Sequence, residues 1–351
     1  MLARLRNEID RRGGWISFAR YLEIVLYDPR EGYYAGGAQK FGAGGDFVTA
    51  PELGTLFGRT LARQLRDIAG PVLEFGAGSG ALAETLLAHG AFDYRILETS
   101  PALRQRQQAR LAASGARVQW LDRLPARIDG VVIANEVLDA MPVHALAWRP
   151  EGIFERGVAW EDGRLQWRER PAAGAVLEEA RRLPVSAPYQ SELGLAARAW
   201  IRTLGERLGT GVALLIDYGF PRHEYYHPQR SAGTLMCHYR HRAHADPFAH
   251  PGDEDITAHV DFTALAESAA EAGLEVLGYT TLAQFLVNCG ITEVLGEANA
   301  ENALHYAPIA AEAQKLLSPA EMGELFKVLA VGAGEPWEPL GFSHGDRSHR
   351  L

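Results

Sequence analysis

The chain is short of cysteine, of lysine and of long apolar stretches, and each shortage excludes something. Two cysteines in 351 residues, Cys237 and Cys289, cannot build a disulfide framework or a four-thiolate zinc site. The longest apolar runs, such as Val212–Ile216, fall far below the roughly 18–20 residues that cross a bilayer, so no membrane span is expected. Lysine occurs 3 times against 32 arginines, a bias of genome composition rather than of binding. Acids outnumber bases 44 to 35, a net charge of −9. A general duplex-binding surface has to neutralise phosphates with Lys and Arg, so no stable nucleic-acid partner is expected. The opening segment MLARLRNEIDRRGG lacks the continuous apolar core of a secretion signal. It also carries Glu8 and Asp10, which transit peptides usually avoid, and a cytoplasmic protein is the expectation.

What is present is a globular composition, 47% hydrophobic and 23% charged, in a chain longer than one typical domain and shorter than three. Residues 1–68 read as helices broken by a glycine-rich loop, Gly36–Gly45. From residue 69 to 331, short apolar segments alternate with helical patterns: Pro71–Phe75, Tyr94–Leu97, Val118–Leu121, Gly130–Ala134 and Val212–Asp217 are strand candidates. Continuous apolar strands between helices predict a parallel sheet buried on both faces. Glu275–Thr280 and Leu325–Val331 bring the strands to seven, with a helical insertion at about 282–324 between them. A second insertion, at about 144–190, alternates Trp148, Phe154, Val158, Trp160, Leu165 and Trp167 with charges around Asp162-Gly163, the signal of an antiparallel hairpin. A helix is expected at Glu192–Leu208, then a long polar loop and a further helix at Phe262–Ala272. The tail 332–351 has few core signals and is expected to be loose. The fold class is α/β, doubly wound, with the ligand at the carboxyl ends of the strands.

The first sheet strand runs into Gly76-Ala77-Gly78-Ser79-Gly80 and then a helix. Glycines there permit positive φ and let a ligand approach the backbone, while the helix offers unpaired N–H groups. Glu74 stands two residues before the first glycine. Glu98 ends the second strand, 22 residues after Gly76, where a carboxylate can take both hydrogen bonds of a ribose diol. Asp122 follows the third strand, where an acid can meet an adenine amino group. Acids at three successive strand ends favour a nucleotide-type ligand over a purely structural turn, and the Gly-x-Gly-x-Gly spacing differs from that preferred by nicotinamide enzymes.

This combination resembles the S-adenosylmethionine-dependent methyltransferases, which use a Glu/Asp-x-Gly-x-Gly turn and an acid at the end of the second strand. The resemblance implies S-adenosyl-L-methionine as cofactor and a class I, Rossmann-like fold. It puts Gly76, Ala77 and Gly78 by the methionyl part, Glu98 on the ribose, and Asp122 or Leu121 by the adenine. Four further stretches are more particular: Phe41–Glu52, Asn135–Val143, Asp217-Tyr218-Gly219 and Pro251–Phe262. Together they resemble the MidA-like family, which includes the mitochondrial complex I assembly-factor methyltransferase. That resemblance implies methyl transfer to a protein arginine, symmetrically at the two terminal nitrogens, with a complex I subunit as a possible protein partner.

A guanidinium is a planar, charged five-donor fork, so it needs acceptors to orient it and a late proton acceptor. Glu136 and Asp139, three apart after the fourth strand, would share a face beside the methyl group if the stretch begins a helix. Asn135 at the strand tip is a candidate contact for cofactor or substrate. Thr49 and Glu52 spell the Thr-x-x-Glu capping box, with Pro51 inside the helix; capping and a site role are compatible. Asp46 in the glycine loop could close over the cofactor amine. Five histidines crowd His238–His259, but their spacing fits no common zinc pattern and no metal is expected; His259 is the candidate for substrate contact. Two alternatives remain: amino-methylation of a nucleic acid or small molecule, and a non-catalytic assembly chaperone. Adenine N-methyltransferases carry Asn/Asp-Pro-Pro-aromatic where this chain has Asn135-Glu136-Val137-Leu138. A chaperone would tolerate a broken glycine turn, and here it is intact.

Overall fold

Short apolar runs in the middle of the chain become the strands of one twisted sheet. The computed structural model describes residues 1–35, 49–66, 68, 70–114, 118–299, 301–334, 337 and 339–351. The sheet contains β1 (Val72–Phe75), β2 (Tyr94–Leu97), β3 (Val118–Leu121), β4 (Ile128–Asn135), β5 (Leu208–Phe220), β6 (Glu275–Thr281) and β7 (Phe326–Ala333). Their order is β6-β7-β5-β4-β1-β2-β3. Only β7 runs against its neighbours, pairing antiparallel with both β5 and β6. The seven expected strands are all present, and Val260–Asp261 adds a short eighth, parallel to the end of β5. Strand order reverses between β1 and β4, so the crevice beyond their carboxyl ends is where a doubly wound sheet binds ligand.

Side chains alternate across the sheet, and both faces are covered. Val131 and Ile133 of β4 face an apolar cluster with Leu56, Phe57, Leu61 and Phe285. Val132 and Ala134 face the opposite cluster with Ile201, Leu204 and Leu265. That period of two, apolar on both sides, is why these strands read as continuous hydrophobic runs.

The excursion after β4 is a second, antiparallel sheet built from His144–Arg149, Gly152–Glu161, Arg164–Pro171 and Tyr189–Leu193. Asp162 and Gly163 take φ of 50° and 78°, the two positive values that a type I′ hairpin turn requires. Two expectations change here. The helix expected from Glu192 begins at Leu195, because Tyr189–Leu193 pairs with His144–Trp148 instead. The polar loop after β5 holds a three-stranded sheet of Met236–Tyr239, Arg242–His244 and Asp255–Thr257.

The N-terminal segment is tied to this second sheet, since Ile16–Ser17 pairs with Gly157–Val158. Ser17 then caps the helix Phe18–Tyr27, its hydroxyl accepting from the Arg20 amide at 3.1 Å. The chain folds back beyond that helix: the amides of Tyr33 and Tyr34 donate to the carbonyls of Val25 and Leu26 at 2.8 and 2.9 Å. At the far end, the insertion between β6 and β7 forms helices Leu282–Asn288, Ile291–Gly296, Ala303–Leu317 and Met322–Leu325. Glu312 on the third of these accepts from the Leu56 and Phe57 amides at 2.8 and 3.2 Å. The described part of the tail is packed on the domain rather than loose. Phe342 is buried, the Tyr279 amide donates to Asp346 at 2.8 Å, and the Arg347 amide donates to the Tyr279 carbonyl at 2.6 Å.

Candidate active site

A cavity of about 480 Å³ opens beyond the carboxyl ends of β1, β2 and β4. Its floor is the glycine turn. Gly76, Gly78 and Gly80 have φ of 60°, 53° and 84°, left-handed values at which side chains other than Gly are strained. Thr49, Glu52, Glu74, Gly76, Ala77, Gly78, Glu98, Asn135, Glu136 and Asp139 all line this one cavity. Asp46 lies outside the described residues. The remaining two candidates are elsewhere. Asp122 is 84% exposed and paired with Arg104, which holds it away from the cavity. His259 lines a separate cavity of about 420 Å³ with Arg222 and Glu267, and packs its ring against Tyr218 and Phe220. Burial, with the charges of Arg230 and Lys327, pushes its pKa down to about 4, so it stays neutral at pH 7.

Burial governs the acids at the strand ends. Glu74 is enclosed and accepts from the Tyr94 hydroxyl at 2.9 Å; its pKa is pushed up to about 8 by desolvation. Glu98 is also raised by burial, while the Ser100 amide at 2.8 Å and the Gln107 side-chain amide at 2.9 Å favour its charge. Gln107 is wholly buried and also donates to the Gly78 carbonyl at 3.0 Å, so it fixes the glycine turn and Glu98 together. Nothing in the sequence signals it, because it is one polar residue midway along a polar helix. Glu52 accepts from the Ser79 hydroxyl, and the Thr49 side chain makes no capping bond. The Thr-x-x-Glu pattern therefore joins the helix Ala50–Leu53 to the glycine turn rather than closing a capping box.

The segment after β4 does not start a helix. Glu136 takes φ 52°, uncommon for a non-glycine residue, and the chain turns sharply. What shapes the turn is Asp217 at the end of β5. One of its oxygens accepts from the amides of Val137, Leu138 and Asp139 at 3.2, 2.9 and 3.2 Å, and the other from the Tyr218 amide at 2.9 Å. Glu136 in turn accepts from the Ala50 amide at 3.3 Å and the Asn135 side-chain amide at 3.2 Å. Desolvation and the nearby Asp139 push Glu136 up to about 8; burial pushes Asp139 to about 6 despite a bond to Tyr218. Asp217 is raised by burial and by both neighbours. Asp255, Tyr27 and Tyr34 complete this end of the cavity. Asp217 was legible as part of a motif, but not as the anchor of the acidic turn.

The residues present fit S-adenosyl-L-methionine. A positive-φ cradle adjoins a buried carboxylate at the next strand end, and one buried oxygen on each of Asn135 and Asp139 has no partner among the described residues. The family model of S-adenosyl-L-methionine-dependent methyltransferases, the MidA-like group, matches residues 56–280. The chain belongs to this family. The methyltransferase is similar over its whole length to a solved superfamily member from Burkholderia thailandensis bound to S-adenosyl-homocysteine. Identity is 52%, TM-score 0.95, and the match covers 99% of this chain and 96% of that one. Among curated proteins it is 29% identical to the mitochondrial protein arginine methyltransferase NDUFAF7 homolog of Drosophila melanogaster, over 94% of this chain and 86% of the relative. Mouse NDUFAF7 is 27% identical over 94% and 84%. These relatives are mitochondrial by name, which overturns the expectation of a cytoplasmic protein. No helix among the described residues is long and apolar enough to cross a membrane.

Proposed function

We propose that this methyltransferase acts on the guanidinium of a protein arginine, with symmetric dimethylarginine as product and a complex I subunit as the substrate the family resemblance implies. The observation that carries the reading is the gathering of Glu136, Asp139 and Asp255 in the cavity that the glycine turn also lines. Acids in a desolvated pocket suit a cation, whereas a neutral base has no charge to gain from them. The names of the curated relatives support the same substrate class.

Gly76–Ser79, Glu74, Glu98 and Asn135 would hold the cofactor, which supplies a methyl group activated on a sulfonium. Glu136 and Asp139 would accept from guanidinium N–H groups and align one nitrogen, since positioning carries much of the work in an in-line displacement. In the empty cavity Glu136 is pushed up to about 8 and holds its proton at pH 7; a guanidinium beside it would favour the carboxylate, which could then take up the proton that leaves the methylated nitrogen. Asp217 positions both through the three amides it holds. The test uses tritiated S-adenosylmethionine, purified protein and lysate from cells lacking the gene. Label in one protein band, released on hydrolysis as symmetric dimethylarginine, supports the proposal; label confined to nucleic acid or small molecules refutes it.

A further inference from the structure

Two tyrosines close the acidic end of the cavity from outside the stretch that the family model covers. Tyr27 is the last residue of the helix Phe18–Tyr27, and Tyr34 lies on the returning strand of chain. Both line the cavity together with Glu136, Asp139 and Asp255. Their rings lie 5.3 Å apart, tilted by 33°. Each hydroxyl is already committed: Tyr27 donates to the Ala140 carbonyl and Tyr34 to an Asp255 oxygen, both at 2.8 Å. What Tyr27 leaves open is ring surface, for the residue is 40% exposed.

The rings are also held in place before any ligand arrives. Asp28 caps the turn between them, accepting from the Arg30 and Glu31 amides at 3.0 and 3.1 Å. The two backbone bonds from Tyr33 and Tyr34 to the preceding helix fix the returning chain. Tyr33 is fully buried and packs edge-on against Tyr34 at 5.1 Å. A fixed aromatic face beside carboxylates distinguishes cations by shape. A guanidinium can lie flat on the ring while its edge N–H groups reach the acids, but an ammonium is a compact, strongly hydrated point charge.

We propose that Tyr27 and Tyr34 form an aromatic platform at the acidic end of the cavity that selects a planar guanidinium over an ammonium. This specificity role rests on the arginine reading above. The probes are N-acetyl-arginine amide and N-acetyl-lysine amide, titrated calorimetrically into the full chain saturated with S-adenosyl-homocysteine. The arginine amide should bind at least about fivefold more tightly than the lysine amide. Tyr27→Leu should weaken the arginine amide by about 5- to 30-fold, the range of a desolvated cation–π contact. Tyr27→Phe keeps the ring and should stay within about threefold of the parent, a rescue that loss of packing alone does not produce. Affinity for S-adenosyl-homocysteine should be unchanged in both variants. Equal binding of the two amides, or Tyr27→Leu binding the arginine amide like the parent, overturns the platform. Parallel loss of S-adenosyl-homocysteine affinity also overturns it and makes Tyr27 part of the cofactor wall. If the parent protein binds neither amide, the arginine reading itself fails.

Discussion

Replacing Glu136 with Gln should make the unliganded protein more stable while removing its activity. Glu136 ionises near 4.5 in an unfolded chain and at about 8 in the folded one, mainly through desolvation and then the charge of Asp139. The folded state therefore keeps a proton that the unfolded state releases. Stability from this group is whole below pH 4.5 and is lost as pH rises towards 8, at about 1.4 kcal/mol per pH unit. At pH 7 the loss is at most about 3 kcal/mol, and about half that once the higher effective dielectric of the open cavity beside the carboxyl is allowed for. Gln cannot ionise, keeps an oxygen for the Ala50 amide, and inherits the same left-handed backbone, so the other local terms change little. For a chain of this size the gain corresponds to a rise in Tm of about 2–5 °C. The assay is thermal unfolding of both proteins without ligand between pH 5 and pH 8.5. The Gln variant should melt higher at pH 8, and its advantage should shrink as pH falls towards 5. Methyl transfer should drop by at least about 100-fold with cofactor affinity retained. Equal melting at pH 8, or an advantage independent of pH, would refute the placement of Glu136 as a desolvated acid.

Three further substitutions examine the rest of the cavity. Gly78→Val puts a branched side chain at φ 53° on its floor, and S-adenosyl-homocysteine affinity should fall by more than about 100-fold while the far-ultraviolet spectrum is unchanged; unaltered affinity in a folded variant would sink the site. Gln107→Leu removes the shared donor to Gly78 and Glu98, and calorimetry should find about tenfold weaker cofactor binding, whereas no change would mean that the turn holds itself. Asp122→Ala should leave affinity within about twofold, as an exposed ion pair contributes little; a tenfold loss would restore the adenine role expected of it.

The fold was largely legible because its strands are buried on both faces and so stand out as apolar runs between helices. The type I′ turn at Asp162-Gly163 was equally plain, since its residue types follow from its backbone angles. Tyr189–Leu193 was less so: five residues with a Glu and a Gln run directly into a helix, and only pairing with a distant strand marks them as strand. The site divides in the same way. Residues next to the glycine turn or at tips of central strands could be placed by topology alone. Asp122 does not line the cavity, because strand-end position does not say which way a side chain points, and here it pairs with Arg104. Glu136 and Asp139 reach the cavity, but on a strained turn held by Asp217 instead of a helix. Tyr27 and Tyr34 had no signal, because their contact with Ala140 and Asp255 spans more than a hundred residues.

The place of β7 has a consequence for how the protein is made. It lies between β5 and β6, and among the described residues β6 pairs with no other strand of the sheet. Until Phe326–Ala333 has been synthesised, the edge of β5 that carries Val212–Ile216 is open, over a stretch of translation about 105 residues long. At about 5–20 residues per second that is roughly 5–20 s. An apolar edge strand left unpaired for so long is a template for pairing with another chain. The same edge carries Asp217, opposite Lys327, so the anchor of the acidic turn gains that neighbour only once β7 has been made. Nascent chains stalled before residue 326 should accordingly need chaperone cover, and the site should stay incomplete until β7 has paired with β5.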